Sequence, residues 1–267
     1  MLRSFRLTDI PRSFVITLGL SLVYLFILVF LNEAIIDQGD GIGHHQIAHF
    51  SWKHRWLFLH HWGKPVYTLL SSPFAQFGMK GSAVFNVLVF GMTAFMLLRV
   101  AQVFRLSFTW LIPLLLLASP EYTNNVLAGL TEVLFAAFVI AILWQLLQKN
   151  WKTAALIASF IPFVRSEGQL LVVLLFPVLI WLRQWKAIPL LFAGFVFYGI
   201  IGQLVLHDFW WYFTNDPYKG FGSVYGSGPW HHFIFGSVGI FGAPLLVVFI
   251  LGCFYLTDRL LKGRPDN

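Results

Sequence analysis

Long apolar runs separated by short polar segments dominate the hydrophobicity pattern of the chain. Six runs carry at most one charged residue: 14–32, 81–98, 106–120, 122–148 (interrupted only by Glu132), 187–206 and 233–257. A helix needs about 20 apolar residues to cross a hydrocarbon layer roughly 30 Å thick. The pattern therefore predicts an all-α protein that crosses a membrane several times.

The stretch 153–182 is apolar except near its middle, where Pro162, Arg165, Glu167 and Gly168 interrupt it. It fits either one kinked helix or two short helices that meet at a polar turn. The positive-inside rule, by which Lys and Arg concentrate on the cytoplasmic side, favours the two-helix hairpin. A hairpin gives about eight spans with both termini cytoplasmic and leaves 12 of the 18 basic residues on that side: Arg3, Arg6, Arg12, Arg99, Arg105, Lys149, Lys152, Arg183, Lys186, Arg259, Lys262 and Arg264.

This topology places two long polar loops on the outer side, a large first loop over residues 34–80 and a second over 207–232. These loops contain all nine His residues, and eight of the 11 acidic residues fall on or near the outer side. Any chemistry is therefore predicted on the outer face. Residues 1–267 are predicted to form a single transmembrane domain, and the first span is expected to be retained because no small-residue cleavage site follows it.

Composition supports a membrane protein and excludes several other classes. Of the 267 residues, 58% are hydrophobic and only 11% are charged, whereas soluble domains carry about 25% charged residues. The net charge of +7 is spread between apolar runs and forms no single patch, so no nucleic-acid partner is expected. We predict an integral, multi-pass protein, of the inner membrane in a bacterium or the endoplasmic reticulum in a eukaryote.

Two acids follow the first span closely. Asp37 and Asp40 stand three residues apart, with the pair His44-His45 just after them. A carboxylate at such a site can act as the general base for an incoming hydroxyl group. Asp and Gly residues also end helices and begin loops, so the acids alone leave both interpretations open.

Aromatic and basic residues alternate further along the same loop, between residues 52 and 65. His60, His61 and Lys64 stand here among several Trp residues. The segment fits an interfacial anchor or a site for the phosphate of a lipid-linked substrate. Zinc is the weakest of the three possibilities, because no HExxH or CxxC spacing occurs. No metal or other cofactor is predicted.

Three charged residues are predicted within or near the membrane. Glu132 stands about ten residues into the run 122–148, where a carboxylate is costly unless it is paired or faces a wet cavity. Arg165 and Glu167 stand at the tip of the hairpin, which is short enough to sink below the outer surface. Arg165 is placed to pair with a phosphate. A purely structural pair between Glu132 and Arg165 is the alternative.

An ordered series of short motifs resembles the GT-C superfamily of integral-membrane glycosyltransferases, in its dolichyl-phosphate-mannose-dependent and aminoarabinose transferase-like branch. The resemblance covers roughly residues 10–185. It consists of the acidic loop after the first span (Asp37, Asp40), Gly63-Lys64-Pro65, Pro73 to Gly78, Ser119-Pro120, Thr131-Glu132 and Arg165-Ser166-Glu167-Gly168.

The resemblance implies a GT-C-like fold and transfer of a sugar from a polyprenyl-phosphate donor to a glycan, lipid or protein acceptor on the outer face. Carried onto this sequence, the catalytic acid of the first loop is Asp40, with Asp37 as second choice. We expect Arg165, Lys64, His60 and His61 to bind the donor phosphate. Supporting roles are expected for four further residues: Glu132, Glu167, His44 and His45. A non-catalytic membrane protein, such as a transporter or a lipid-binding subunit, is the alternative function.

Overall fold

The computed structural model describes residues 10–31, 39–217, 231, 234 and 236–261. The regular secondary structure of this part of the chain is entirely helical, with no β-strand. Its α-helices are α1 (Arg12–Leu31), α2 (Asp40–Phe50), α3 (Pro65–Ala75), α4 (Gly78–Val103), α5 (Leu111–Leu117), α6 (Pro120–Ala128), α7 (Thr131–Leu147), α8 (Trp151–Phe160), α9 (Gly168–Trp181), α10 (Ala193–Leu206), α11 (Trp211–Thr214) and α12 (Ser237–Leu261). Three short 3₁₀ segments occur at Arg55–Leu59, Ile161–Phe163 and Ile188–Phe192.

Four of these helical segments are long and apolar enough to cross a membrane: Arg12–Leu31, Gly78–Val103, Ile188–Leu206 and Ser237–Tyr255. They coincide with four of the predicted spans. Large apolar side chains on α1 point away from the protein; Leu20, for example, is 64% exposed. An apolar outer face is what a lipid-facing helix requires, so the structure is consistent with an integral membrane protein.

Two predicted spans have different bounds in the structure. Within 106–120, helix α5 covers only Leu111–Leu117, a length of about 10 Å that is too short to cross a membrane, and Pro120 already begins α6. The run 122–148 is divided into α6 and α7, whose axes are bent by 117°. Counting that bent pair as one span gives at most five helices of full spanning length among the described residues, which does not confirm the expected count of about eight spans.

The bend between α6 and α7 originates at Gly129. Its φ of 70° lies in the left-handed region, which glycine adopts without steric cost. The amide of Leu130 donates to the carbonyl of Asn125 (3.1 Å) and that of Gly129 to the carbonyl of Val126 (3.4 Å), the pattern of a Schellman helix end. The bend moves Glu132 from the predicted mid-span depth to the first turn of α7.

Side chains from neighbouring helices stabilise this break. The amide nitrogen of Asn86, on α4, donates to the carbonyls of Asn125 (3.2 Å) and Leu130 (2.8 Å). The hydroxyl of Tyr67, on α3, donates to the carbonyl of Gly129. A buried carbonyl without a partner costs about 1–3 kcal/mol. These hydrogen bonds avoid that cost and so stabilise the sharp bend inside an apolar core.

The segment 153–182 forms two short apolar helices joined by a polar turn, as the basic-residue distribution favoured. The first runs over Trp151–Phe163 and the second over Gly168–Trp181. A Cβ atom at Gly168 would lie 2.6 Å from the backbone carbonyl of Ile161. Glycine therefore permits the second helix to start directly against the end of the first, with Arg165 at the tip.

Helix α4 is the centre of the bundle and packs against α1, α3, α6 and α7. Its Val87 and Phe90 are fully buried. Phe163, at the end of the first hairpin helix, belongs to the same core and stacks on Tyr198 of α10 with ring centroids 4.4 Å apart. The 3₁₀ segment Ile161–Phe163 also contacts α3, so the hairpin tip packs beside α3 and α10.

Candidate functional site

A polar cavity of about 310 Å³ opens where α2, α3, α7 and the hairpin tip meet. Its lining combines three acids, two cations and several polar or aromatic groups: Asp40, His44, Trp62, Lys64, Leu130, Thr131, Glu132, Arg165, Ser166 and Glu167. Six residues singled out from the sequence are among them. The structure thus brings Glu132 and Arg165 into one cavity with part of the first predicted outer loop.

Arg165 is held between two carboxylates. Its guanidinium forms an ion pair with Glu132 on Nη1 and a second with Glu167 on Nη2, the latter at 2.7 Å. Nη1 also donates to the Thr131 hydroxyl at 3.1 Å. Burial opposes the charge of Arg165, but the hydrogen bond and charge of Glu167, with those of Glu132, outweigh it and raise the pKa of Arg165. Arg165 is therefore charged and fixed in orientation.

Lys64 is the second cation of the cavity and is only 6% exposed. Its Nζ donates to the hydroxyl of Ser166 at 2.8 Å. Burial, together with the charge of Arg165, lowers the pKa of Lys64 to about 8, while the carboxylates of Glu167 and Asp216 act in the opposite direction. The ammonium group is thus mostly protonated at neutral pH and loses its proton in mildly alkaline solution.

The backbone at Lys64 is strained. Its φ is 62°, a left-handed conformation that costs a residue with a side chain about 1–2 kcal/mol. Pro65 follows as the first residue of α3, where the fixed φ of proline suits a helix start. Strained positions of this kind concentrate at functional sites, and here the strain directs a lysine into the cavity.

Asp40 is exposed at the rim of the cavity and is the first residue of α2. The partial positive charge of a helix N-terminus favours a carboxylate there. Gly39, with a φ of 130°, gives the chain the turn that starts the helix at Asp40. Asp40 forms no salt bridge with any other residue in the described ranges.

An aromatic wall completes the cavity. The ring of His44 lies parallel to that of Trp62, with centroids 4.4 Å apart and planes 6° apart. A Cβ at Gly43 would lie 2.6 Å from the Trp62 ring, so glycine allows the indole to lie directly on α2. The sequence indicated Trp62 only as part of an interfacial segment. Its place in the cavity depends on its contact with α2, which the hydrophobicity pattern of the sequence cannot predict.

Two of the histidines chosen from the sequence lie outside the cavity lining. His45 is within hydrogen-bonding distance of the Ser82 hydroxyl, 3.0 Å from its Nδ1. His60 Nδ1 accepts a hydrogen bond from the amide of Gly63 at 3.1 Å. His60 thus shapes the turn before Lys64 and does not line the cavity.

His61 is also absent from the lining. It is 7% exposed and its ring lies 4.6 Å from that of Tyr212, on α11. Burial, aided by the charge of Lys64, lowers the pKa of His61 to about 4. A neutral imidazole under an aromatic ring is not a phosphate-binding cation at neutral pH, so the structure gives His61 a packing position.

Asp37, the second choice for the catalytic acid, lies outside the described residues. Within those residues, no group of three or more His, Cys, Asp or Glu side chains is arranged to hold a metal ion. Thr131 and Ser166, which bind Arg165 and Lys64, stood beside Glu132 and Arg165 in the motifs quoted from the sequence. Because Thr131 and Ser166 are adjacent to Glu132 and Arg165 in the sequence, they could have been included among the candidate site residues.

Comparison of the chain with family models, with curated proteins and with solved structures finds no match.

Proposed function

We propose that the protein is a GT-C-type membrane glycosyltransferase that moves a sugar from a polyprenyl-phosphate donor to an acceptor on the outer face of the membrane. The observation that carries the proposal is the convergence of Asp40, Lys64 and Arg165 on one cavity. Cavities of roughly 300–1,000 Å³ are typical of small-molecule sites. A carboxylate and two cations facing one such space are the groups that transfer from a phosphate requires.

The proposed reaction is a displacement at the anomeric carbon. The acceptor hydroxyl oxygen attacks this carbon as Asp40 takes the hydroxyl proton. The bond between the anomeric carbon and the phosphate oxygen breaks, and both of its electrons leave with the polyprenyl phosphate. Lys64 and Arg165 stabilise the charge that develops on that phosphate. A single displacement inverts the configuration of the sugar.

The two cations have different tasks in this scheme. Both terminal nitrogens of Arg165 already contact carboxylates, so its charge is largely neutralised. Lys64 donates to the Ser166 hydroxyl, and a phosphate oxygen can accept a hydrogen bond from the same ammonium group. We assign Lys64 as the principal phosphate ligand. Glu132 and Glu167 hold Arg165 in place and face the space available to the sugar hydroxyls.

An apolar groove of about 600 Å³ supports a lipid-linked donor. It is lined by side chains of α3, α4, α7, α8 and α10, including Leu69, Met92, Phe138 and Leu156. Its lining begins at Val66, two residues after Lys64 on the same helix start. A polyprenyl chain lying in this groove would bring its phosphate to the polar cavity.

The proposal includes the membrane arrangement derived from the basic residues. The cavity faces the periplasm or the lumen, and both termini face the cytoplasm. That arrangement requires an even number of crossings, eight by the sequence-based count. Placement in a bacterial inner membrane, or in the endoplasmic reticulum of a eukaryote, follows from where polyprenyl-phosphate sugars are used.

The experiment is donor consumption in detergent. The purified full-length chain is incubated with a panel of polyprenyl-phosphate sugars and acceptors, and released polyprenyl phosphate is quantified by mass spectrometry. A transferase releases the lipid phosphate without a sealed membrane. A transporter leaves the donor intact in detergent and moves it only across sealed vesicles, and that result would replace the proposed function with the alternative.

A further inference from the structure

Two turns of the chain repeat the same residue pattern. Residues 149–152 read Lys-Asn-Trp-Lys and residues 183–186 read Arg-Gln-Trp-Lys. Each turn therefore carries a cation, an amide, a tryptophan and a lysine in the same order. The first turn follows α7 and the second follows α9.

The backbones of the two turns are also alike. Lys149 and Arg183 have φ values of 59° and 57°. The backbone amide of Asn150 donates to the carbonyl of Gln145 at 2.9 Å, and that of Gln184 donates to the carbonyl of Leu179 at 2.8 Å. Each bond spans five residues. Both turns are therefore Schellman ends in which a cation occupies the position that glycine fills at lower cost.

The two turns line a single cleft of about 560 Å³. Its lining consists of the two repeats with one further residue after each: Lys149, Asn150, Trp151, Lys152, Thr153, Arg183, Gln184, Trp185, Lys186 and Ala187. The four cations are exposed, and no acidic side chain lines the cleft. None of the four forms a salt bridge within the part of the chain that the structure describes.

The cleft lies at the far ends of the helices that form the candidate active site. Helix α7 begins next to Glu132 and α9 next to Arg165, and each ends at the cleft. Their lengths are about 26 and 21 Å at helical rise, somewhat less than the thickness of the hydrocarbon layer. Trp residues with Lys and Arg mark a membrane–water interface, here on the side predicted to be cytoplasmic.

Retention of basic residues on the cytoplasmic side does not by itself produce this arrangement. Arg105 also follows a helix and has a left-handed backbone conformation, with a φ of 54°. It does not line the cleft. Charge bias and the helix dipole explain a cation at such a position. They do not explain why two turns repeat cation, amide, tryptophan and lysine and face one space.

We propose that this cleft binds the headgroup of an anionic membrane lipid that carries two phosphate groups. Each repeat supplies two cations for one phosphate, and the tryptophans lie beside the glycerol and acyl portion. A basic pocket between helices at the membrane surface fits such a headgroup. Four cations without an acidic partner match a doubly charged ligand better than a singly charged one.

The test is lipid titration of the detergent-purified full-length chain, followed by native mass spectrometry. The probes are a two-phosphate lipid (tetraoleoyl cardiolipin), a one-phosphate anionic lipid (dioleoyl phosphatidylglycerol) and a zwitterionic lipid (dioleoyl phosphatidylcholine). The two-phosphate lipid is expected to bind at least tenfold more tightly than the other two. The double substitution Lys152→Gln/Lys186→Gln should weaken it at least tenfold.

The matched control is Arg12→Gln/Arg105→Gln, which also removes two exposed cations from the predicted cytoplasmic side and should bind as the wild type does. A control that weakens binding as much as the cleft variant would overturn the proposal, since general charge would then explain the effect. Equal affinity for the one-phosphate lipid would overturn the two-phosphate assignment. Inorganic pyrophosphate that displaces the lipid at equal concentration would overturn the assignment to a lipid.

Discussion

Lys64 provides the most quantitative prediction, because its protonation changes within an accessible pH range. Burial lowers its pKa from the usual 10.5 to about 8. If the protonated form is the phosphate ligand, affinity follows the protonated fraction, which falls from about 0.9 at pH 7 to about 0.1 at pH 9. The dissociation constant for a polyprenyl phosphate should therefore rise roughly tenfold over this range.

The assay is calorimetric titration of the detergent-purified protein with a short polyprenyl phosphate. A phosphate monoester has its second pKa near 6, so the ligand keeps the same charge from pH 7 to pH 9. Binding should also take up a proton at pH 8.5, because the phosphate raises the pKa of Lys64 in the complex. That uptake appears as a dependence of the heat on the ionisation enthalpy of the buffer.

Two variants separate Lys64 from other groups. Lys64→Arg keeps a charge at all these pH values and should give pH-independent binding. Lys64→Met should bind weakly at every pH. A flat wild-type profile between pH 7 and pH 9, or an unchanged pH dependence in Lys64→Met, would refute the assignment of Lys64 as the principal phosphate ligand.

Three further predictions concern stability, each measured as a thermal midpoint in detergent. Gly129→Ala should lower the free energy of unfolding by about 1–2 kcal/mol, because φ at this position is 70° and the new Cβ would lie 3.2 Å from that of Ser82. An unchanged thermal midpoint would show that alanine is not strained at this position. Asn86→Leu should lower the free energy of unfolding by about 1–3 kcal/mol, since the carbonyl of Leu130 loses the hydrogen bond from Asn86, whereas the carbonyl of Asn125 still accepts from the amide of Leu130. Asn124→Leu, at an exposed amide on α6, should cost little. Lys64→Met should raise the thermal midpoint at pH 7, because it removes the cost of burying the protonated ammonium group. The folded protein binds fewer protons than the unfolded chain between about pH 8 and 10.5, so wild-type stability should approach that of the variant as pH rises through this window.

The sequence predicted the long helices and the hairpin well, because both depend on local composition. Helices α1 and α4 lie where uninterrupted apolar runs required them. The polar turn at Arg165 was visible as a cluster of Pro, charge and Gly within an apolar stretch. Six residues of the cavity were also identifiable, since charged groups are rare in so apolar a chain.

The features missed from the sequence depend on contacts between distant residues. The run 122–148 read as one span because its hydrophobicity is continuous, and only Gly129 hints at the bend. The donors that make the bend possible, Asn86 and Tyr67, lie more than 40 residues earlier in the chain. For the same reason the sequence placed Glu132 in the middle of one long helix, whereas it lies in the first turn of α7. His60 and His61 carry the right chemistry but are turned toward Gly63 and Tyr212.

The most direct test of the central claim is the turnover of Asp40→Asn with a polyprenyl-phosphate sugar, measured beside Glu121→Gln. Glu121 is an exposed acid in the first turn of α6 and lies outside the cavity, so its variant controls for removal of a carboxylate at a helix start. Asparagine keeps the shape of Asp40 and removes its basicity. We expect a loss of about 10²–10⁴ in turnover for Asp40→Asn, with polyprenyl-phosphate affinity retained, and near-wild-type turnover for Glu121→Gln. Turnover of Asp40→Asn within threefold of the wild type would contradict the assignment of Asp40 as the general base.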